Sequence, residues 1–295
     1  MVRRTTSDYF VELIAVLAIA TFTLLCVLPF LLIVSTSFSS EEIVRIKGFS
    51  LLPQSLSFEA YKMIFQNGKV IIGSYIVTIL LTAAGTLLGL SIISMTGYAL
   101  NRQDFPFRNG ISFFIYFASL FSAGLAPYYL LMVKFYHLKD SYLAVLLPLL
   151  MSPWLIILMK NYVKTVPYEL TEAGKIDGAG DFTIFIRLVL PMLKPALATI
   201  GLFLALGYWN EWYQSSLFLS ARVVYKPLQY MLYQIVNQAQ YLKNSIAGAY
   251  VDFSDFPQET LKMATAVVAT GPFVLMYPFE QKYFISGITV GAVKG

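Results

Sequence analysis

The chain has 295 residues, of which 58% are hydrophobic and only 13% charged, and 21 Lys+Arg against 16 Asp+Glu leave a net charge of +5. A soluble chain needs about 25% charged residues to cover its surface, so this composition points to a membrane protein and excludes an ordinary soluble enzyme. One Cys (Cys26) and one His (His137) exclude an intramolecular disulfide framework and a His-rich metal site, and the small positive excess, scattered between apolar runs, suits phospholipid headgroups rather than nucleic acid.

A helix needs about 20 apolar residues to cross about 30 Å of hydrocarbon. Six stretches qualify, at about 13–37, 70–100, 110–133, 141–159, 195–219 and 262–279, which predicts an all-α integral membrane domain occupying 1–295. The first follows Arg3 and Arg4 and contains the small-x-small triplet Ala18-Ile19-Ala20. It continues through Leu24, Leu25, Val27, Leu28 and Phe30, well past the about 7–15 residues of a signal-peptide core, so it reads as a retained span. The connection 41–69 reads as a polar loop. In the second stretch Gly85 and Gly89 stand four apart, a spacing that lets a neighbouring helix, in this subunit or a paralogous one, approach closely. Asn101–Arg108 and Lys134–Asp140 read as tight turns, and Pro29, Pro127, Pro148, Pro153, Pro272 and Pro278 predict kinks within spans.

The fifth stretch carries Trp209-Asn210-Glu211-Trp212-Tyr213, and Glu211 is the only carboxylate in any predicted span. An acid at that depth is costly unless it faces protein or water, which marks it for function. Aromatic faces and amides suit a sugar, whose C–H faces stack on rings while its hydroxyls need paired donors and acceptors; the plainer reading is an interfacial aromatic belt. The stretch 222–262 reads as a loop rich in Tyr, Gln and Asn. An even number of spans puts both termini on one side, but that side and its opposite hold 11 and 10 Lys+Arg, so charge does not choose the orientation.

The hydrophilic insert 160–194 is the most organised connection. Pro167 suits the first turn of a helix, Glu169 follows where the helix dipole favours an acid, and Gly178 suits the left-handed residue that ends one. A short helix at about 167–177 follows, with Leu170, Ala173, Ile176 and Asp177 on one face, and a second at about 180–190. Within it, Glu172-Ala173-Gly174, three residues, Gly178, nine residues, Leu188, one residue, Leu190-Pro191 resembles the EAA signature of ABC importer permeases. Their usual form is Glu-Ala-Ala, three residues, Gly, nine residues, Ile, one residue, Leu-Pro; Gly174 and Leu188 are the departures. The C-terminal run Gln281–Gly295 resembles the tail of maltose-type sugar permeases. Pro257–Ala264 and Tyr208-Trp209-Asn210 resemble the branch often called LplC- or YtcP-like, and the resemblance spans essentially the whole chain.

That resemblance implies the type I ABC importer permease fold, with six transmembrane helices and both termini cytoplasmic in the bacterial inner membrane. It implies a cytoplasmic coupling loop at 160–194, an extracytoplasmic loop at 222–262 and a cytoplasmic tail at 280–295. The implied activity is ATP-driven import of oligosaccharides, uronate-containing ones in this branch. The implied partners are a second homologous permease, two ATP-binding cassette subunits that bind ATP and Mg, and an extracytoplasmic substrate-binding protein. No cofactor is then expected in this chain, which carries no Gly-x-x-x-x-Gly-Lys-Ser/Thr phosphate loop. Glu172, Ala173, Gly174, Asp177, Gly178, Ala179, Leu190 and Pro191 are the implied ATPase-coupling residues. Gln281, Gly287, Gly291 and Gly295 are the implied ATPase-contacting tail residues; Trp209, Asn210, Glu211, Trp212 and Tyr213 are the candidate sugar contacts that residue chemistry, not the resemblance, suggests. The alternative, an ion-coupled secondary transporter, needs buried ionisable groups of which Glu211 supplies one. An intramembrane enzyme needs a catalytic constellation that His137, between Lys134 and Lys139, does not provide.

Overall fold

Backbone polar groups in hydrocarbon must be paired within their own segment, and the apolar runs accordingly fold as helices. The structure, a computed structural model, describes residues 6–66, 68–246, 257–272 and 274. Regular structure among them is helical apart from one isolated antiparallel bridge, Ser39 to Leu56. The described residues divide into two compact units, one comprising those up to Gly68 with those from Leu232 to Pro272, the other Lys69–Met231.

In the first unit, helix Thr6–Ser37 takes up the first apolar run and absorbs Pro29 without ending. None of its most apolar 18-residue window is buried, so it presents an apolar surface on every side, the condition of a lipid-facing span. The stretch read as a polar loop holds two seven-residue helices, Glu41–Lys47 and Glu59–Phe65, each too short to show a helical repeat in the sequence. Glu41 is buried. Its carboxylate accepts hydrogen bonds from the amides of Glu259 (3.0 Å) and Thr260 (2.9 Å) and from the Thr260 hydroxyl (2.9 Å). It thus caps the helix at 258–272, whose first amides have no partner within the helix.

The stretch 222–262 also departs from its reading as a loop, because helix Leu228–Ile246 occupies much of it. Leu228, Leu232 and Ala239 are buried on one face, while the many Tyr, Gln and Asn residues keep the segment's average polarity too high to resemble a span.

The second unit is built around helix Gly68–Asn101. Glycines set its closest contacts. A Cβ on Gly85 would lie 2.3 Å from the Tyr208 ring, one on Gly89 3.0 Å from Leu204, and one on Gly97 2.6 Å from Met159. The Gly85/Gly89 pair therefore packs inside this chain, against helix Lys194–Trp209, and Tyr208 is anchored by its hydroxyl donating to the Leu146 carbonyl at 2.8 Å. Ile93, Ile156, Met159, Ile184, Ile200 and Leu204 belong to the buried core between these elements.

Three runs expected to be continuous are interrupted. The third is two helices, Arg108–Leu120 and Leu125–Phe135, bent by 115°, with the chain extended between them, Gly124 at φ +88° and Pro127 in the following turn. The fourth pauses at Met151–Ser152 before Pro153 starts a new helix. The fifth unwinds at Asn210–Trp212 between Lys194–Trp209 and Tyr213–Phe218. Among the described residues three helical stretches are long and apolar enough to cross a membrane, counting Leu143–Val163 across its pause, or up to five if each bent pair counts once. The end of the sixth stretch and the tail residues Gln281, Gly287, Gly291 and Gly295 lie outside the described residues.

Candidate functional site

The insert 160–194 folds around helix Glu169–Ile176. Tyr168 precedes it, its carbonyl accepting the amides of Thr171 (2.9 Å) and Glu172 (3.2 Å), and Glu169 and Glu172 lie in the first turn. The helix begins two residues after Pro167. Its end is a Schellman motif: Gly178 has φ +77° and donates to the Lys175 carbonyl at 3.0 Å, and Ala179 donates to Gly174 at 2.9 Å.

Thr171 and Gly174 face inward. A Cβ on Gly174 would come within 3.0 Å of Ile184 and 3.2 Å of Leu188, so the missing methyl of this Glu-Ala-Gly run lets the next segment close in. That segment is helix Asp181–Ile184, a wider π turn over Phe185–Val189 and a last turn, Leu190–Met192, in place of one regular helix over 180–190. Ala179 and Leu190 are half-buried and Pro191 is exposed. Outward go Glu172, Ala173, Ile176 and Asp177, with Ile176 86% exposed.

The turn after helix Gly68–Asn101, read from the sequence as a simple link, turns out to grip this loop. Arg102 Nε donates to Asp104 Oδ1 at 2.8 Å, its second terminal nitrogen also pairs with Asp104, and the first reaches Asp181 Oδ1 at 2.6 Å. Lys175 donates to Asp104 Oδ2 at 2.5 Å. The guanidinium also lies 5.9 Å from the centre of the Tyr98 ring, which packs at 5.2 Å on Phe185. Hydrogen bonds from Arg102 and then Lys175 hold the Asp104 carboxyl well below its usual pKa, and Asp104 raises that of Lys175. A depressed carboxylate pKa keeps the pairing intact across neutral pH; acidification weakens it below about pH 4, the unfolded value, and abolishes it only below the folded one. No local spacing could have exposed this network, since Asp104 and Lys175 are 71 residues apart.

The aromatic cluster of the fifth stretch divides. Trp209 and Glu211 are buried, while Asn210, Trp212 and Tyr213 are exposed, the last two rings meeting edge to face at 6.0 Å. Glu211 is occupied locally. It accepts the Gln214 amide, the Ser215 amide at 3.3 Å and the Ser215 hydroxyl at 2.6 Å, which caps helix Tyr213–Phe218 after the break. Gln214 reaches outward through Oε1, which accepts from the Tyr128 hydroxyl at 2.9 Å.

Tyr128 in turn lines a hollow of about 690 Å³ at the other chain break, together with Ser119, Phe121, Ser122, Gly124 and Leu131. Sequence reading missed these residues. The run Ser122-Ala123-Gly124-Leu125-Ala126-Pro127 inside an apolar stretch was the available sign, Gly and Pro being the usual punctuation of a broken span.

Residues 89–290 match the family described as "Binding-protein-dependent transport system inner membrane component". The chain is 39% identical to the polygalacturonan/rhamnogalacturonan transport system permease protein YtcP of Bacillus subtilis (strain 168), over 93% of this chain and 94% of that one. It is 34% identical to the protein LplC of the same organism, over 91% and 90% of the two chains. A chain in the crystal structure of a bacterial ABC transporter involved in the import of the acidic polysaccharide alginate superposes with a TM-score of 0.75 at 30% identity. That match covers 96% of this chain and all of the other.

Proposed function

Because the chain belongs to the family of inner membrane components of binding-protein-dependent transport systems, we propose that it is the permease subunit of an ATP-driven importer of acidic, uronate-containing oligosaccharides. Two relatives bear on the cargo: one is named for polygalacturonan and rhamnogalacturonan, and the other belongs to an alginate importer. The complex is completed by a second homologous permease, two ATP-binding cassette subunits and an extracytoplasmic binding protein. Both termini and the loop 160–194 face the cytoplasm of a bacterium, 222–262 faces the binding protein, and ATP and Mg sit on the cassette subunits.

The observation that carries this reading is the glycine-closed helix Glu169–Ile176 with Glu172, Ala173 and Ile176 turned outward. Ile176 fills an apolar cleft on the ATPase, a contact worth about 1.5–3 kcal/mol when fully buried, and Glu172 meets a basic group beside it. Asp177 flanks that contact, and Gln281, Gly287, Gly291 and Gly295 run along the ATPase dimer. ATP binding closes that dimer, draws the coupling helix inward and opens the spans toward the binding protein; hydrolysis reverses the movement. Sugar rings pass the two chain breaks, stacking on Trp212, Tyr213 and Phe121 with Asn210, Tyr128 and Gln214 as hydroxyl partners. The ion-coupled alternative loses its support at Glu211, whose two oxygens are engaged in its own turn.

Co-purification tests the docking. Glu172→Ala weakens, and Ile176→Asp abolishes, retention of the ATPase subunits on the membrane complex, while the permease pair stays assembled. Normal retention and normal uptake in both variants would contradict the reading.

A further inference from the structure

Helices Pro153–Val163 and Lys194–Trp209 are joined to the coupling loop through the chain itself, so any displacement of the loop pulls on both. Helix Gly68–Asn101 has no such covalent tie, yet Arg102 and Asp104, just beyond its end, hold the loop at two points. Asp181 of the second loop helix pairs with Arg102, and Lys175 of the coupling helix pairs with Asp104. We propose that this four-residue ionic brace, with Arg102 as its centre, is a positioning device that passes the loop's movement to helix Gly68–Asn101. The inference rests on the coupling role given to the loop above.

The brace is poorly suited to be a mere stabiliser. The side chains of Asp104, Lys175 and Asp181 are 39%, 39% and 57% exposed, and ion pairs so accessible to water contribute little to folding. Arg102 differs. Its side chain is only 15% exposed, its fork engages two carboxylates, and its flat face lies over Tyr98. A planar guanidinium held in this way fixes direction as well as charge, which a lysine cannot do.

Onward transmission follows from the glycine contacts. Gly97 abuts Met159, Gly89 abuts Leu204 and Gly85 abuts Tyr208, with no room for even a methyl group at Gly85 or Gly97. Packing without slack moves as a body. Displacement at Arg102 is therefore felt at Tyr208, two residues before the unwound Asn210–Trp212 segment.

The test uses the assembled complex in lipid with its binding protein, measuring sugar uptake and ATP hydrolysis on the same vesicles. Arg102→Gln retains the ATPase subunits and keeps hydrolysis within about twofold of native, but lowers sugar carried per ATP by at least about fivefold, the lower end of usual coupling strengths. Arg102→Lys recovers part of that loss. Asp181→Asn lowers the ratio less, and the double variant Arg102→Gln/Asp181→Asn is no worse than Arg102→Gln alone, because both act through one contact. The proposal is overturned if sugar per ATP is unchanged in Arg102→Gln, if uptake and hydrolysis fall together with the amount of assembled complex, or if the two single effects multiply in the double variant. Failure of the docking reading is seen separately, as full ATPase retention in Glu172→Ala and Ile176→Asp.

Discussion

Glu211 carries both oxygens into hydrogen bonds within four residues of itself, and that changes what an acid in an apolar span means. Its residue type was legible in the sequence; its partners were not. The amides of Gln214 and Ser215 become available only because the helix unwinds at Asn210–Trp212, and apart from Asn210 and Glu211 themselves no residue, and no proline, marks that break. A capping carboxylate and a substrate-binding or ion-carrying one respond differently to substitution. Removing the cap in Glu211→Ala destabilises the subunit by about 0.5–2 kcal/mol, whereas Glu211→Gln keeps an acceptor oxygen in place. Glu211→Gln is accordingly expected to leave the half-saturating sugar concentration within about twofold of native, with Glu211→Ala lowering the thermal midpoint of the detergent-solubilised complex. A large rise in half-saturation with no change in midpoint for Glu211→Gln would assign the carboxylate to the cargo.

Helix Glu169–Ile176 was readable at the level of the element because its determinants are local: an acidic first turn, a periodic face and Gly178 at the left-handed closing position. Helices Glu41–Lys47, Glu59–Phe65 and Leu228–Ile246 were not read from the sequence, the first two for want of length and the third because its polar face keeps the segment's average polarity high. The brace of Arg102, Asp104, Lys175 and Asp181 escaped for a different reason, since tertiary proximity leaves no periodic trace. At Gly178 the conformational requirement gives a sharp expectation. A left-handed backbone costs a side chain with a Cβ about 1–2 kcal/mol, and a β-branched one more. Gly178→Val should open the Schellman closure, speeding amide hydrogen exchange at Gly178 and Ala179 and reducing ATPase retention, while Gly178→Asn, which tolerates this backbone, retains most of both. Equal exchange in native and Gly178→Val would show that the closure does not depend on the glycine.

At the scale of the unit Lys69–Met231, glycine-closed packing runs from the exposed helix Glu169–Ile176 and the turn at Arg102 to the interruption at Asn210–Trp212. The apolar stretches were legible because hydrocarbon imposes length and polarity on any segment that crosses it, and among the described residues three to five of the six expected spans are long and apolar enough to cross. The interruptions at Phe121–Gly124 and Asn210–Trp212 stood out less, since each is marked by only two or three small or polar residues within a stretch that is otherwise apolar. The central claim is that this chain couples ATP hydrolysis on a partner to import of an acidic oligosaccharide. It is tested most directly by ATPase activity of the complete complex in lipid with its binding protein, against a panel of neutral and uronate oligosaccharides. Hydrolysis is expected to rise several-fold with uronate chains, to stay near the sugar-free rate with neutral ones, and to lose that response in Glu172→Ala. Equal rates with and without every sugar, or uptake that continues without ATP and stops when the membrane potential is collapsed, would contradict it.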